Sequence, residues 1–284
     1  MNLDLTDRLL HWAELRDRND ADVGLLDGAL LIAADEYPGL DQHACRGQLA
    51  ELAAIIAGRM EDLSEPLERL RVLNRMVFQE FGFQGNEADY YDPRNSYLNE
   101  VLDRRLGNPI SLALLHIELG NRMGLGLEGV SFPGHFLVRL PTEDGLLVLD
   151  PYNRGRSLSL DELRERAASH FQNGPISDEQ MTRLLEPSDA RSILGRILRN
   201  LKQLYYERKD YERALRCADR LITLNDDRDT LERRDRGNLY QLVGHAEAAI
   251  ADWRTYLERQ PQGEDADSVR QSIIAAAGPK RRLN

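Results

Sequence analysis

Cysteine is scarce in this 284-residue chain, which contains only Cys45 and Cys217. Cys45 has one candidate zinc ligand nearby, His43, and a single His-x-Cys pair is a weak metal signal. Two thiols far apart in sequence are typical of a protein in a reducing compartment. The sequence therefore predicts no metal, no other cofactor and a cytoplasmic location.

Long apolar runs and an excess of positive charge are also lacking. The longest apolar run covers residues 29–34, which is too short to span a bilayer. Asp4, Asp7 and Arg8 interrupt the N-terminal segment, which is unlike a signal peptide. The formal net charge of −11 disfavours broad contact with a phosphate backbone. We therefore expect a protein that contacts neither membranes nor nucleic acids.

Helical periodicity dominates the first 85 residues, where apolar side chains recur at the spacing of amphipathic helices. A later helix is predicted from Asn108, a favourable N-cap, with Pro109 at its first position. This helix extends to about Met123 and is apolar on most faces, so we expect it at the centre of a core.

The period changes to that of β-structure after this helix. Strands are predicted over three segments, 127–132, 136–140 and 146–149. If Leu140 pairs with Gly145 across a four-residue loop, His135 and Asp150 face each other on neighbouring strands. The sequence therefore predicts a small antiparallel sheet that brings this histidine and this aspartate together.

The C-terminal part contains an internal repeat with a 34-residue period. Three pairs of like residues have this spacing, namely Tyr206 and Tyr240, Ala214 and Ala248, and Arg220 and Arg254. The period is that of the tetratricopeptide repeat, a helix–turn–helix unit. Since Pro187 separates it from the preceding segment, we expect two domains, 1–187 and 188–284. The repeat tail is the expected contact for a protein or peptide partner.

The order of residues between Asn108 and Asp150 matches the layout of a papain-type catalytic site. Such a site needs a thiolate at a helix N-terminus, a histidine as general base and an acid that orients the imidazole. The helix start at 108–111, His135 and Asp150 follow in this order, but the helix start contains no cysteine.

Several segments carry a resemblance to a known family. Segments 107–123, 133–138 and 148–151 are similar to the core of the transglutaminase-like superfamily. With three further segments, 97–102, 104–112 and 235–237, the chain resembles the bacterial SirB family. This resemblance implies an α+β fold, in which a helical N-terminal region packs on a transglutaminase-like core with a small antiparallel sheet. An all-α tail of tetratricopeptide repeats follows that core.

The resemblance also implies which triad positions are kept. The cysteine of active members falls on Pro109, or on Ile110 with a one-residue shift, and neither side chain is a nucleophile. His135 and Asp150 match the histidine and aspartate of the triad. The favoured interpretation is a pseudoenzyme, a protein- or peptide-binding or regulatory module that acts through its cleft and its repeat tail.

Catalytic alternatives stay open at this point. Ser111, in the first helical turn, is a candidate nucleophile for a hydrolase or acyltransferase that uses His135 and Asp150. Cys45 reaching the site is a second alternative, and His135 acting as a base without a covalent nucleophile is a third. A non-catalytic alternative for His135 is a histidine held by a hydrogen bond to Asp150, with only a structural or binding role. A purely structural scaffold, in which side chains such as Tyr152 or Phe132 fill the cleft, is the remaining possibility.

Polar residues beside the motifs are candidates to line the same cleft. They are Asn99, Arg105, Asn108, Tyr152 and Arg154. His116 and His245 are expected on a helix surface or in a turn.

Overall fold

The computed structural model describes residues 11–168, 170–171, 176–226 and 228–277. The chain divides into two compact units. The first is Asn19–Leu194, and the second combines the described residues of Met1–Arg18 with those of Gly195–Asn284. The described part of the second unit is helical and the first contains both helices and strands, so the predicted α+β fold with a helical tail is confirmed.

The first unit is helical at its N-terminal end, as the apolar periodicity predicts. Its described α-helices are α1 Leu25–Glu36, α2 Gln42–Gly58, α3 Pro66–Arg75, α4 Leu98–Arg104, α5 Pro109–Arg122, α6 Leu160–Ala168 and α7 Asp178–Leu184. A π-helical turn, Met76–Glu80, continues α3, and a 3-10 turn, Pro151–Asn153, precedes the last strand.

Helix α5 lies in the core of this unit and begins as predicted. The Asn108 side chain accepts a hydrogen bond from the Ser111 N–H at 3.0 Å, and Pro109 occupies the first helical position. Buried residues cover almost every face of the helix, including the fully buried His116. The expectation of a surface position for His116 is wrong, because Phe78 packs edge-on against its ring with centroids 5.3 Å apart.

Four antiparallel strands form the main sheet in the order β3-β4-β5-β6. They are β3 Glu128–Val130, β4 Leu137–Thr142, β5 Gly145–Asp150 and β6 Arg156–Leu158. Two very short strands, β1 Gln84–Gly85 and β2 Leu106–Gly107, form a separate parallel pair. Because β2 leads directly into Asn108, this pair places the start of α5 beside the loop that follows β1.

The β4–β5 hairpin is where the sequence predicts it, but the predicted register is wrong by two residues. Thr142, not Leu140, pairs with Gly145, because the chain reverses in two residues rather than four. Gly145 has a φ of 140°, a conformation that glycine adopts easily. His135 lies in the turn before β4, so it does not pair with Asp150 across the ladder as predicted.

A hydrophobic core under the sheet fixes the strand ends. It consists of sheet and loop residues packed with residues of α6 and α7 and their connection, namely Val130, Phe132, Leu137, Val148, Leu158, Leu163, Ala167, Ile176, Met181 and Leu185. Phe132 and Leu137 flank the His135 turn, so burial of these side chains sets the position of that turn.

The second unit is built from consecutive helices. They are most of α8 Ala190–Glu207, then α9 Tyr211–Leu224, α10 Thr230–Leu242, α11 Ala246–Arg259 and α12 Ala266–Ala277. Gly237 on α10 lies against the Trp253 indole so closely that a Cβ there would be 2.6 Å from the ring. Among the described residues, no helix has both the length and the apolar character needed to cross a membrane.

Ion pairs hold the polar helix α10 against its neighbours. The buried Asp252 carboxylate accepts hydrogen bonds from Arg233 at 2.8 Å and from two nitrogens of Arg236 at 2.7 and 2.8 Å. The Lys202 ammonium lies 2.6 Å from Glu232 and 2.8 Å from Asp235. Ion pairs therefore make part of the contacts between these helices, where other helices of the chain use apolar side chains.

Candidate functional site

His135 occupies a tight turn between the end of β3 and the start of β4. Its backbone N–H donates to the Phe132 carbonyl at 3.1 Å, and the preceding Gly134 has a φ of 68°. The His135 side chain is half-buried. A Cβ on Gly134 would lie only 2.8 Å from His170 Nε2, so a second imidazole sits against this turn.

His170 is a site residue that sequence reasoning missed. It lies beyond α6 and belongs to no catalytic motif, so only folding of the chain brings it to Gly134. The described ranges contain no group of three or more His, Cys, Asp or Glu side chains arranged to hold a metal ion.

Asp150 closes β5 and is 2% exposed. One carboxylate oxygen accepts from the Asn153 side-chain amide at 2.6 Å and from the Arg166 guanidinium at 2.8 Å. The other accepts from the Asn153 backbone N–H at 3.2 Å. The Asp150 carboxylate therefore anchors the loop that follows β5 and forms a buried ion pair with α6.

The start of α5 is a reciprocal capping box between Asn108 and Ser111. The Ser111 hydroxyl accepts from the Asn108 backbone N–H at 3.0 Å and donates to the Asn95 carbonyl at 2.6 Å. The Ser111 side chain is 2% exposed. Its hydroxyl therefore serves as both acceptor and donor inside the structure, an arrangement typical of helix capping.

Asn95 connects this helix start to the loop after β1. Its side-chain NH₂ donates to the carbonyls of Asp89 and Tyr90 at 2.8 and 3.2 Å, and its side-chain oxygen accepts from Asn86 at 3.0 Å. The backbone carbonyl of Asn95 is the group that Ser111 binds. The hydrogen bonds of the helix start therefore also fix the loop that carries Tyr90.

A recess of about 510 Å³ opens between this loop and the segment after Asp150. It is lined by residues 84–88, Leu106, 152–154 and Arg156, and we call it the Tyr152 recess. The Tyr152 ring lies against Gly85, where a Cβ would be 2.4 Å from it. Burial raises the pKa of the Tyr152 hydroxyl, and Tyr90 and Glu87 raise it further.

The structure divides the predicted binding residues into two groups. Tyr152 and Arg154 line the recess, whereas Asn99, Arg105 and Asn108 do not. Arg105 packs over the Phe83 ring at 4.4 Å, and burial lowers the pKa of its guanidinium. Asn108 serves as the helix cap.

Cys45 is buried on α2. Burial raises the pKa of its thiol, and the Asp103 and Asp41 carboxylates raise it further. The thiol is therefore protonated at neutral pH, the less nucleophilic form.

Comparisons with known proteins agree with this architecture. The model of the transglutaminase-like superfamily matches residues 43–199, and the model of the tetratricopeptide repeat matches residues 201–273. No solved structure matches the chain.

Relatives resemble the chain over most of its length. A UPF0162 protein of Xylella fastidiosa is 44% identical over 93% of both chains. A UPF0162 protein of Vibrio cholerae is 31% identical over 88% of this chain and 92% of the relative. Protein SirB1 of Salmonella typhimurium is 27% identical over 80% of this chain and 84% of the relative. The chain therefore belongs to the SirB family, in which a transglutaminase-like domain precedes tetratricopeptide repeats.

Proposed function

We propose that the chain is a cytoplasmic, non-catalytic protein that binds a protein or peptide partner through its transglutaminase-like cleft and its repeats. In this proposal residues 1–187 carry the cleft and residues 188–284 carry the repeats. The observation that supports it most is the start of α5. The resemblance puts Pro109, or Ile110 with a one-residue shift, where active members of the superfamily have a cysteine, and the nearby Ser111 hydroxyl is buried and bonded as donor and acceptor.

A serine nucleophile must give its proton to a base and approach a substrate carbonyl. Ser111 donates to the Asn95 carbonyl at 2.6 Å and has almost no solvent access. Attack by this hydroxyl therefore requires that the capping box open. The Asp150 carboxylate also already accepts hydrogen bonds from Arg166 and Asn153.

The repeat unit supports the binding part of the proposal. Tetratricopeptide repeats generally mediate protein–protein interactions. A recess of about 180 Å³ lies between α8 and α10, where Tyr206 and Asn238 line it. Tyr206 is 48% exposed, and exposed tyrosines are frequent anchors of protein interfaces.

The catalytic half of the proposal is tested with a fluorophosphonate probe on the full chain. We expect no covalent label on the wild type at neutral pH. Labelling of Ser111 that is lost in Ser111→Ala would overturn the non-catalytic assignment and establish the hydrolase or acyltransferase alternative.

The binding half is tested by photo-crosslinking in cells. Benzoylphenylalanine replaces Tyr206 in one variant and the exposed Glu258 on α11 in a matched control. We expect discrete crosslinked protein bands from the first variant that are missing from the control. Equal crosslinking from both positions would refute a specific partner at the repeat recess.

A further inference from the structure

The Tyr152 recess is a concave site with polar walls and an aromatic rim. Its volume of about 510 Å³ lies within the range that holds small ligands or a few peptide side chains. Tyr90 packs edge-on against Tyr152 with centroids 5.9 Å apart and against Tyr91 with centroids 5.1 Å apart. Tyr90 is 44% and Tyr91 65% exposed, so the aromatic surface extends from the recess to its outside.

Hydrogen-bond donors predominate in the lining that comes from the segment after β5. Arg154 is exposed and makes no ion pair with any residue that the structure describes. Arg156 binds Glu162 through one nitrogen at 2.6 Å, which leaves its other guanidinium nitrogens for a ligand. Glu87 is the one carboxylate among the lining residues. An anionic group is therefore the ligand chemistry that this wall favours.

The backbone at Arg154 is held in an unfavourable conformation. Its φ is 59°, a left-handed conformation that is unfavourable for residues with a Cβ. The Gly155 N–H donates to the Asp150 carbonyl at 2.8 Å, and the Asn74 side chain donates to the Gly155 carbonyl at 2.9 Å. These bonds enforce a loop shape that presents Arg154 at the recess.

Asp150 and Ser111, two residues of the candidate catalytic layout, hold the loops that form opposite walls of this recess. Asp150 holds the loop with Tyr152 and Arg154 through Asn153. Ser111 holds the other loop through Asn95, as its hydrogen bonds at the helix start show. The residues that match a catalytic layout in sequence therefore support a binding recess in the structure.

We propose that the Tyr152 recess binds an acidic peptide segment, with a glutamate or aspartate carboxylate on Arg154 and the neighbouring peptide residues on Tyr90 and Tyr91. A peptide fits better than a free anion, because a small anion would leave the exposed tyrosine rim unused. The overall negative charge of the chain does not prevent this, since charges beyond about 8 Å are screened at physiological salt. This inference rests on the proposed binding function and specifies the chemical class of the ligand that binds in the cleft.

The first test selects randomised peptides displayed on phage against the full-length chain. The targets are the wild type, Arg154→Glu and the control Arg183→Glu. Arg183 is an exposed arginine on α7 in the same unit, with one surface ion pair. We expect enrichment of Asp and Glu in peptides selected by the wild type and the control, and loss of this enrichment with Arg154→Glu.

The second test measures affinity for the most enriched peptide, labelled with fluorescein, by fluorescence anisotropy. Arg154→Ala is expected to weaken binding about tenfold or more, because a charge-assisted hydrogen bond is lost. Tyr91→Ala is expected to weaken binding several-fold, and Arg183→Ala to leave it unchanged. Circular dichroism spectra and melting curves verify that each variant is folded.

Acidic enrichment that survives Arg154→Glu, or no acidic enrichment at all, would overturn the inference. Displacement of the peptide by millimolar inorganic phosphate, together with unchanged binding of Tyr91→Ala, would instead assign the recess to small anions. Either result leaves the proposed function intact if the Tyr206 crosslinks persist. Labelling of Ser111 by the fluorophosphonate would refute the proposed function by a separate route.

Discussion

The buried His116 should make the first unit sensitive to acid. Its side chain is fully buried in α5, and neither ring nitrogen has a hydrogen-bond partner among the described residues. Burial lowers the pKa of His116 from 6.5 to about 3, so the imidazole is neutral in the folded protein. In the unfolded chain the same group titrates near its ordinary value of about 6.5.

The sign and size follow from proton linkage. Between pH 6.5 and 3 the unfolded chain binds a proton at His116 and the folded chain does not, so stability falls as the pH falls. Each pH unit within this window costs about 1.4 kcal/mol, which amounts to about 2 kcal/mol at pH 5. The substitution His116→Leu removes this loss and keeps a side chain of similar size in the core.

The assay is amide hydrogen exchange read by mass spectrometry on peptides from α5, corrected for the intrinsic rate at each pH. Tryptophan fluorescence is unsuitable, because Trp12 and Trp253 both belong to the second unit. Between pH 7.5 and pH 5, we expect the wild type to lose about 2 kcal/mol more opening free energy than His116→Leu. The exposed His43→Leu on α2 is the matched control and should behave like the wild type. Parallel pH profiles for the wild type and His116→Leu would refute this reasoning.

Three further predictions concern stability. Asp252→Ala should destabilise the second unit by about 2–3 kcal/mol, since the mostly buried Arg236 guanidinium loses this carboxylate and keeps its ion pair with Asp219. Urea unfolding followed by tryptophan fluorescence measures this. Gly237→Ala should cost about 1–3 kcal/mol in the same assay, because the new Cβ meets the Trp253 ring. Ser111→Ala should lower the opening free energy of α5, measured by hydrogen exchange, by about 1–2 kcal/mol, because the Asn108 N–H and the buried Asn95 carbonyl lose the hydroxyl that bonds them. Unchanged stability in any of these variants would contradict the contact on which it depends.

Local chemistry made several elements predictable from the sequence. Asn108 and Pro109 determine where α5 begins through interactions within one turn, so the helix starts where the sequence predicts it. Strands β4 and β5 are likewise predicted, from two short apolar segments separated by a turn. The register of these strands was not predicted correctly, because it depends on the length of the loop between Thr142 and Gly145, and many sequences fit turns of different length.

Features built from distant segments were not predictable in this way. The Tyr152 recess joins three separate parts of the chain, and no sequence period links the loop after β1 to Arg154. His170 reaches Gly134 only through the packing of α6 on the sheet. The burial of His116 did have a sequence signal, since the predicted helix is apolar on most of its faces and leaves little surface for an imidazole.

The capping box at the start of α5 has a consequence for how strongly this helix end can hold an anion. A helix N-terminus stabilises an anion through its free N–H groups. Here Pro109 has no N–H, and the Ser111 N–H donates to the Asn108 side chain, which leaves the Ile110 N–H in that turn. A cysteine at position 109 would add a thiol and its own N–H, but the Asn108 side chain would still occupy the Ser111 N–H. The cap and a bound anion therefore compete for the same N–H group, so an anion gains less stabilisation at this helix end than at an uncapped one.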